Sequence, residues 1–268
     1  MHLIRKAAVL QLILLSCVTR TRAQVAAETK PVPQANPGRP TVSTPATLTP
    51  VGYLQFETGM LAAVDSTEFD MRLSANEVVK LTVVPRLQLI LPVEPFVHSR
   101  FGRGKENHFG EVFAGVQGVL VPGKGKTPTI SLSYFRRLYA SPAPEVDLGT
   151  FRQNGLLLIS NDLWGFHCDA NAIVSEQTES RVRRVQYGQT LSISHPVGKF
   201  TISGEIWHFS QPFLNSNASG NLWAVAYTLR NNLAVDLGFN RGLTNTSTQW
   251  EAFLGFTYLL PHRLWKEH

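Results

Sequence analysis

The sequence predicts an all-β protein, a transmembrane antiparallel up-and-down β-barrel of about 12 strands with short periplasmic turns and longer outer loops. Three observations lead to this prediction. From Val51 onward, apolar and polar residues alternate with the period of two that is typical of half-buried strands. Every second connection between these segments is short. Residues 1–23 have the features of an export signal.

The first residues predict a cleaved signal peptide over residues 1–23. Arg5 and Lys6 precede the apolar run AAVLQLILLSCV, which is too short for a transmembrane helix, and the sequence TRA then offers a small-residue cleavage site. Cys17, in LLSC, leaves open an alternative in which this cysteine is acylated and becomes the new N-terminus. Cleavage after residue 23 leaves Cys168 as the one cysteine of the mature chain, so no intramolecular disulfide is expected.

Residues 24–50 are rich in Pro, Thr and Ala and lack an apolar period, which predicts an extended periplasmic N-terminal arm. The outer-membrane barrel is expected at residues 51–260, followed by a C-terminal tail at 261–268. The formal net charge is +6, but much of this excess lies in the signal peptide, and the other basic clusters are short. The charge pattern therefore gives no support for nucleic-acid binding.

We predict a strand wherever apolar residues recur at every second position between turn-forming residues. Many of these segments have about ten residues or more, which is the length that crosses a bilayer at a tilt. In chain order, the predicted strands are 52–62, 69–81, 86–96, 109–121, 127–138, 151–160, 166–176, 182–194, 200–210, 220–230, 233–241 and 248–260.

The connections alternate in length. Short ones, such as TVVP, PGKGK, HPVGK and NN, are interspersed with longer ones, such as VHSRFGRGKENH. A membrane barrel has short turns in the periplasm and longer loops outside, so an even strand number with both chain ends in the periplasm predicts this pattern. A soluble Greek-key sandwich gives no reason for it.

The segment AVDLGFNRGL illustrates how the two faces of a strand are assigned. Asp236 and Asn240 alternate with Val235, Leu237 and Phe239. In a membrane barrel the polar residues face the lumen and the apolar residues face lipid, whereas in a soluble barrel the apolar residues form the core. Strand number and loop pattern favour the membrane barrel, so we expect Leu237 and Phe239 to face lipid.

Three segments do not fit a simple alternation. The sixth strand, FRQNGLLLIS, contains three consecutive leucines, and the tenth, GNLWAVAYTLR, is apolar on both faces. Pro92 and Pro95 interrupt the third strand, which is therefore expected to stop early or to carry a bulge.

The same alternation predicts which polar side chains line the lumen. Such charges either pair across the lumen and plug it, or line a hydrated wall that selects solutes. A barrel of about 12 strands has an interior of intermediate width, so both outcomes are compatible with the sequence. The predicted lumen-lining residues are Glu57, Asp70, Arg72, Glu94, Glu111, His167, Asp169, Asn171, Arg184, Gln186, Glu205, Asp236, Asn240 and Glu251.

Aromatic residues near many predicted strand ends indicate an interfacial girdle. These residues are Tyr53, Tyr134, Trp164, Trp207, Trp223, Trp250 and Tyr258.

The sequence contains no motif that points to catalysis. His167 and Asp169 lie two positions apart on one strand face and could share a metal or a proton, but a lone pair of this kind is better explained as a hydrogen-bonded polar pair in the lumen. HExxH, GxSxG, a Walker loop and a CxxC pair are all absent from the sequence. We therefore predict a protein that is not an enzyme, with no catalytic residue, no metal and no cofactor.

Three stretches resemble a known family. GRPTVSTPATLTPVGYLQFETGM, ANEVVKLTVVPRLQLILP and above all NNLAVDLGFNRGLTNTSTQWEAFLGFTYLL resemble bacterial outer-membrane proteins of the "MetA-pathway of phenol degradation" or transporter type. The resemblance implies an outer-membrane barrel through which small or aromatic molecules pass, without catalytic residues. It departs from many outer-membrane barrels in continuing past the last strand with PHRLWKEH.

The expected function is that of a passive outer-membrane channel for small solutes, with lipid, solute and the barrel-assembly machinery as partners and no nucleic acid. Two alternatives stay open at this point. A closed barrel could serve as a structural or adhesion platform through the outer loops at 97–108 and 139–150. A soluble periplasmic β-barrel could instead carry lipid or another ligand.

Overall fold

The computed structural model describes residues 32–144, 146–147, 151–179 and 181–265. The predicted signal peptide, Cys17 and the first part of the predicted arm lie outside these residues. The described chain contains β1 (Leu54–Val64), β2 (Met71–Val84), β3 (Leu87–Phe101), β4 (Gly104–His108), β5 (Val112–Val121), β6 (Thr129–Tyr139), β7 (Phe151–Leu163), β8 (Phe166–Glu179), β9 (Val182–Val197), β10 (Phe200–Gln211), β11 (Ser216–Arg230), β12 (Leu233–Gly242) and β13 (Trp250–Leu259).

Twelve of these strands form a closed antiparallel barrel. Consecutive strands pair from β5 to β13, β13 pairs with β1, and β1 pairs with β2. The ring is completed where β3 pairs with β2 on one side and with β5 on the other. The predicted fold class is confirmed, and each predicted strand has its counterpart in the ring. In the described part of the chain, no helix has the length and apolar character needed to cross a membrane.

The sequence missed β4, which was expected to be part of the outer loop at 97–108. This short strand, GKENH, pairs with the end of β3. Its residues are mostly exposed on both faces, so no apolar alternation marks it as a strand.

The two faces of the barrel wall are those that the sequence predicted. In β12, Leu237 is 63% exposed and Asp236 is 7% exposed, so the apolar residue points out and the carboxylate points in. The same alternation resolves the three leucines of β7, because Leu157 is exposed whereas Leu156 and Leu158 are buried inside. An outer wall covered by large apolar side chains suits hydrocarbon and is unfavourable in water.

Four of the five strand connections at one end of the barrel are two-residue turns, whereas the other end carries most of the longer connections. Turns at 85–86, 164–165, 198–199 and 231–232 join β2–β3, β7–β8, β9–β10 and β11–β12. At β7–β8, Trp164 and Gly165 both have positive φ, 53° and 84°, as in a tight type I′ hairpin whose twist matches the strands. We call this the short-turn end. The ends of β1 and β13 that connect to the chain termini also lie there.

The prolines of β3 produce a bulge and not a strand end. β3 continues to Phe101, and its register against β2 shifts between Ala75 and Glu77. On the other side, the pairing with β5 is interrupted between Ile90 and Val93. Pro92 lies in that gap, where its lack of an amide hydrogen removes one donor of the ladder.

The main departure from the sequence prediction is the position of the arm. Residues 33–50 have no regular secondary structure and lie inside the barrel, where Ser43 and Ala46 are fully buried. The sequence predicted a periplasmic position because this segment has no apolar period that would mark it as packed. The physical reason for the internal position is that the barrel wall offers it hydrogen-bond partners, as described below.

Introducing charge on the outer wall provides a test of the face assignment. Leu237→Arg is expected to lower the free energy of unfolding by about 2–4 kcal/mol, because an arginine near the bilayer midplane is poorly solvated. The measurement is a urea titration of the protein folded in lipid vesicles.

Leu237→Ala is the matched control, because it removes the same side chain without adding charge. It should cost clearly less than the arginine variant. Equal losses for the two variants would contradict the assignment of Leu237 to lipid.

Candidate functional site: the barrel lumen

The internal segment, residues 33–50, enters and leaves the lumen at the short-turn end. At one side, the Ala35 amide donates to the carbonyl oxygen of Asn231 over 2.8 Å. At the other side, the Gly52 amide donates to Thr82 O, also over 2.8 Å. The two limbs are braced together where Asn36 Nδ2 donates to the carbonyl oxygen of Thr47 at 3.0 Å. The segment is therefore a loop folded back within the barrel.

Glu205 of β10 is the principal anchor of this loop. Its carboxylate accepts hydrogen bonds from the backbone amides of Val42 and Ser43, each at 2.8 Å, and from Ser43 Oγ at 2.7 Å. Glu205 and Ser43 are both buried. A buried carboxylate is costly unless it is hydrogen-bonded, so the loop and the acid satisfy each other.

The remaining backbone groups of the loop bind amide and hydroxyl side chains of the wall. The Thr44 amide donates to Asn171 Oδ1 at 2.7 Å, and Asn171 Nδ2 donates back to Thr44 O at 2.9 Å. The Ala46 amide donates to Ser160 Oγ at 2.7 Å, and the Thr49 amide to Gln88 Oε1 at 2.9 Å. Inward side chains of the wall thus supply the hydrogen-bond partners that a neighbouring strand would supply in a sheet.

An apolar cluster holds the tip of the loop inside the barrel. Ala46 packs among inward side chains of β7, β8, β10 and β11, with Val42 and Phe135 against the edge. This apolar filling interrupts the polar lumen at that level. The buried members on the wall are Leu156, Leu158, Ile173, Trp207, Phe209 and Ala218.

Two glycines make room for the charge of the loop. Gly59 and Gly255 are direct partners in the β1–β13 pairing. A Cβ atom at Gly59 would come within 2.3 Å of the Arg39 guanidinium carbon, and one at Gly255 within 2.8 Å of Arg39 Nε. The guanidinium therefore lies against bare backbone, from where Nη2 reaches Asp236 Oδ1 at 3.4 Å.

The lumen charges pair with one another along the wall. Lys80 Nζ lies 2.5 Å from Glu57 Oε1. Arg72 Nη2 lies 2.6 Å from Glu94 Oε1. Arg137 Nη1 lies 3.1 Å from Glu111 Oε1. Each pair joins neighbouring positions of the wall, so these pairs follow the wall and do not bridge the lumen.

His167 is held by acids and does not form a catalytic arrangement with a nucleophile. Its Nδ1 lies 2.6 Å from Asp162 Oδ1, and its Nε2 lies 3.3 Å from Asp169 Oδ1. Ser160 donates to the same Asp169 oxygen, so the serine hydroxyl is directed at the carboxylate rather than at the imidazole. This arrangement corresponds to the hydrogen-bonded lumen pair.

The structure gives most of the predicted lumen residues an inward position, but two differ. Asp70 lies outside the strands, in the β1–β2 connection, where it is exposed and accepts from the Gly102 amide at 2.6 Å. Arg184 has the inward parity but is exposed near the start of β9, stacked on Phe213. Among the others, Glu57, Arg72, Asp169, Asn171, Gln186, Glu205, Asp236 and Asn240 are buried, and Glu94, Glu111, His167 and Glu251 are partly buried.

Trp207 does not belong to the aromatic girdle. It is buried in the lumen, where Nε1 donates to Asn240 Oδ1 at 2.8 Å and Asn240 Nδ2 donates to Glu251 at 3.1 Å. Its position two residues after Glu205 puts it on the same face of β10 as that carboxylate. The inward position of Trp207 could therefore have been predicted from the alternation along the strand. Tyr134, Trp164, Trp223 and Trp250 are exposed as the girdle requires.

Several lumen residues escaped the sequence prediction. Arg39 was missed because it belongs to the arm. Gln88 and Gln117 were missed although they have the same parity as the predicted residues Glu94 and Glu111. Gln117 Nε2 donates to the carbonyl oxygens of Pro45 and Ala46, at 3.0 and 3.2 Å. Lys80, the partner of Glu57, could have been predicted, because it has the same parity in β2 as Arg72.

The described residues enclose cavities in the interior, of which two bear on passage through the lumen. The first, of about 590 Å³, lies at the short-turn end between the internal segment and β8–β12. The second, of about 370 Å³, lies toward the long loops and is lined by Arg72, Glu94, Glu111 and Glu251.

The β6–β7 loop reaches the mouth near this second cavity. Asp147 Oδ1 accepts from the Thr248 amide at 2.7 Å and from Thr248 Oγ1 at 3.0 Å. Burial raises the pKa of the Asp147 carboxyl group above its ordinary value. Within the described residues, its other oxygen is buried without a hydrogen-bond partner.

The comparisons with known proteins identify the fold. No family model matches the chain, and no curated protein matches it. A solved outer membrane channel from Pseudomonas putida is similar with a TM-score of 0.58 at 14% identity, covering 85% of this chain and 100% of that one. The NanC porin is similar with a TM-score of 0.53 at 9% identity, covering 76% of this chain and 98% of that one. The chain therefore has the barrel fold of outer-membrane channels and porins.

Removing the carboxylate of Glu205 is expected to release the internal segment. Glu205→Ala leaves the two backbone amides of Val42 and Ser43 without their acceptor, whereas the Ser43 hydroxyl can still donate to Thr190 Oγ1. Each unsatisfied buried donor costs about 1–3 kcal/mol. A cysteine placed by Val42→Cys, in a chain expressed from residue 24 with Cys168→Ser, should then react with a maleimide about tenfold faster or more.

Glu205→Gln is the matched control, because its amide oxygen still accepts. Its labelling rate should fall between those of the parent and the alanine variant. If neither substitution changed the rate, Glu205 would not be the anchor of the segment.

Proposed function

We propose that the protein is an outer-membrane channel for small solutes whose lumen is narrowed by residues 33–50. The observation that carries the proposal is the inverted polarity of the closed barrel, which has apolar side chains outside and polar side chains inside. In lipid, such a wall satisfies every backbone group by strand pairing and still offers solutes a polar interior. The short-turn end would face the periplasm, because outer-membrane barrels keep their short turns there.

The two interior cavities support passage of solutes and limit their size. Their volumes of about 590 and 370 Å³ suit molecules of metabolite size. Between them, the internal segment and its apolar cluster occupy the lumen. A solute would therefore pass beside the segment or displace it, which predicts a small conductance compared with that of wide porins.

The similar folds and the sequence agree with this proposal. The solved neighbours are an outer membrane channel and a porin, and the predicted signal peptide fits export. The resemblance to the phenol-degradation outer-membrane family suggests small, including aromatic, solutes. The apolar outer wall argues against a water-soluble ligand carrier, since it would expose Leu237, Leu254 and Ile206 to water.

The test is conductance of the purified full-length protein in planar lipid bilayers, with liposome swelling as a second assay. We expect small, stable conductance steps, because the lumen is polar but occupied by residues 33–50. Deleting these residues should increase the step size several-fold, provided that the variant still shows the heat-dependent gel mobility of a closed barrel.

Glu205→Ala provides the same test in a complete chain. It should raise the conductance in the same direction as the deletion, whereas Glu205→Gln should change it less. Absence of both conductance and solute swelling in a heat-modifiable protein would overturn the channel proposal.

A further inference from the structure

We infer that the cavity at the short-turn end, lined by residues of β8–β12 and the internal segment, is a binding site for a small organic anion bearing a carboxylate group. This inference rests on the proposed channel function and deepens it by naming the class of solute. It differs from the aromatic solutes that the family resemblance suggests, because the side chains around this cavity are hydroxylic and cationic.

The cavity exists because the inward side chains of this part of the wall are small. Ser192, Ser203 and Ala226 project inward from β9, β10 and β11 and line it. On the opposite side of the lumen, at a similar distance from the short-turn end, the inward positions carry Lys80 and Gln117, and that space is filled. The small residues thus leave a hydroxyl-lined space beside the internal segment.

Two cations at the mouth of this cavity are left without acidic partners. Lys199 and Arg230 both line it. They lie on adjacent elements, because the Thr228 amide donates to the carbonyl oxygen of Lys199 at 2.9 Å. Among the described residues, neither side chain forms an ion pair. Both side chains are exposed, and two cations without an acidic partner give the mouth a positive potential that attracts anions.

The acid that lines the cavity already has partners. Asp169 accepts a hydrogen bond from Ser160 and lies 3.3 Å from His167 Nε2. Arg39, which also lines the cavity, is paired with Asp236. The unpartnered charge at this site therefore belongs to Lys199 and Arg230 and is positive.

The side chains match a carboxylate with polar substituents. A guanidinium offers two parallel donors to a carboxylate, and an ammonium adds a mobile point charge. The serine and threonine hydroxyls deeper in the cavity can bind hydroxyl groups of the same molecule. A volume of about 590 Å³ accommodates a small sugar acid such as gluconate, which serves as the probe.

The chain provides a matched control at the same end of the barrel. Lys124 and Lys126 lie in the β5–β6 connection, are exposed, and are not among the residues lining the cavity. Lys124→Gln with Lys126→Gln removes as much charge from this end as Lys199→Gln with Arg230→Gln. A general effect of surface charge would therefore be the same in both variants.

The first measurement is the reversal potential under a potassium chloride gradient. We expect the parent channel to prefer anions, and the Lys199→Gln/Arg230→Gln variant to lose that preference by about threefold or more, whereas the Lys124→Gln/Lys126→Gln control stays close to the parent. A parent channel without anion preference, or equal losses in the two variants, would overturn the inference while leaving the channel proposal intact.

The second measurement is binding of radiolabelled gluconate to the detergent-solubilised protein by equilibrium dialysis, with uncharged glucitol as the control ligand. Saturable gluconate binding that disappears in the Lys199→Gln/Arg230→Gln variant supports the site even if no conductance is found. Absence of such binding, or equal binding of glucitol, overturns it.

Repeating the bilayer experiment with and without phosphatidylglycerol tests lipid headgroups as the source of the anionic group. Loss of the anion preference in the anionic lipid would mean that headgroups occupy the cations, which overturns the solute site.

Discussion

Closure of the strand ring is the constraint on which the rest of the structure depends. In hydrocarbon, an unpaired strand edge would leave a row of amides and carbonyls without partners, so the wall must pair with itself all the way round. The pairing of β3 with β2 and β5 closes the ring, even though Pro92 interrupts the ladder there. Once the ring is closed, every second side chain points into a shared interior, and the character of that interior follows from which residues stand at those positions.

The interior of a 12-stranded ring is wider than that of an eight-stranded barrel and narrower than that of a large porin, so wall side chains alone leave part of it unfilled. This chain resolves the problem with its own N-terminal segment, whose backbone is bound by inward side chains. The arrangement couples two otherwise separate requirements. Glu205 and Asn171 need partners because they are buried, and the amides of Val42, Ser43 and Thr44 need partners because they belong to no sheet.

The strand period explains why so much of the wall could be predicted from the sequence. The apolar Leu237 faces outward and the acidic Asp236 faces inward, so adjacent positions of the sequence differ in polarity. The sequence prediction was wrong at residues whose partner is distant in the chain, and at one residue whose alternation along its strand already places it inside. Ser43 is fixed by Glu205, 162 residues away, and nothing in a Pro-rich stretch reveals such a partner. Trp207 was assigned to the girdle although its parity with Glu205 places it inside.

The loop formed by residues 33–50 has a mechanical consequence, because both of its limbs leave the barrel at the same end. The segment is not threaded from one mouth to the other, so a pull on the residues before it would draw it out as a hairpin. Its attachments to Gln55, Glu57 and Asp236 lie along the first limb and precede those to Glu205. A pulling force would therefore break these attachments one after another and not all at once. The strand pairings of the barrel wall would stay intact.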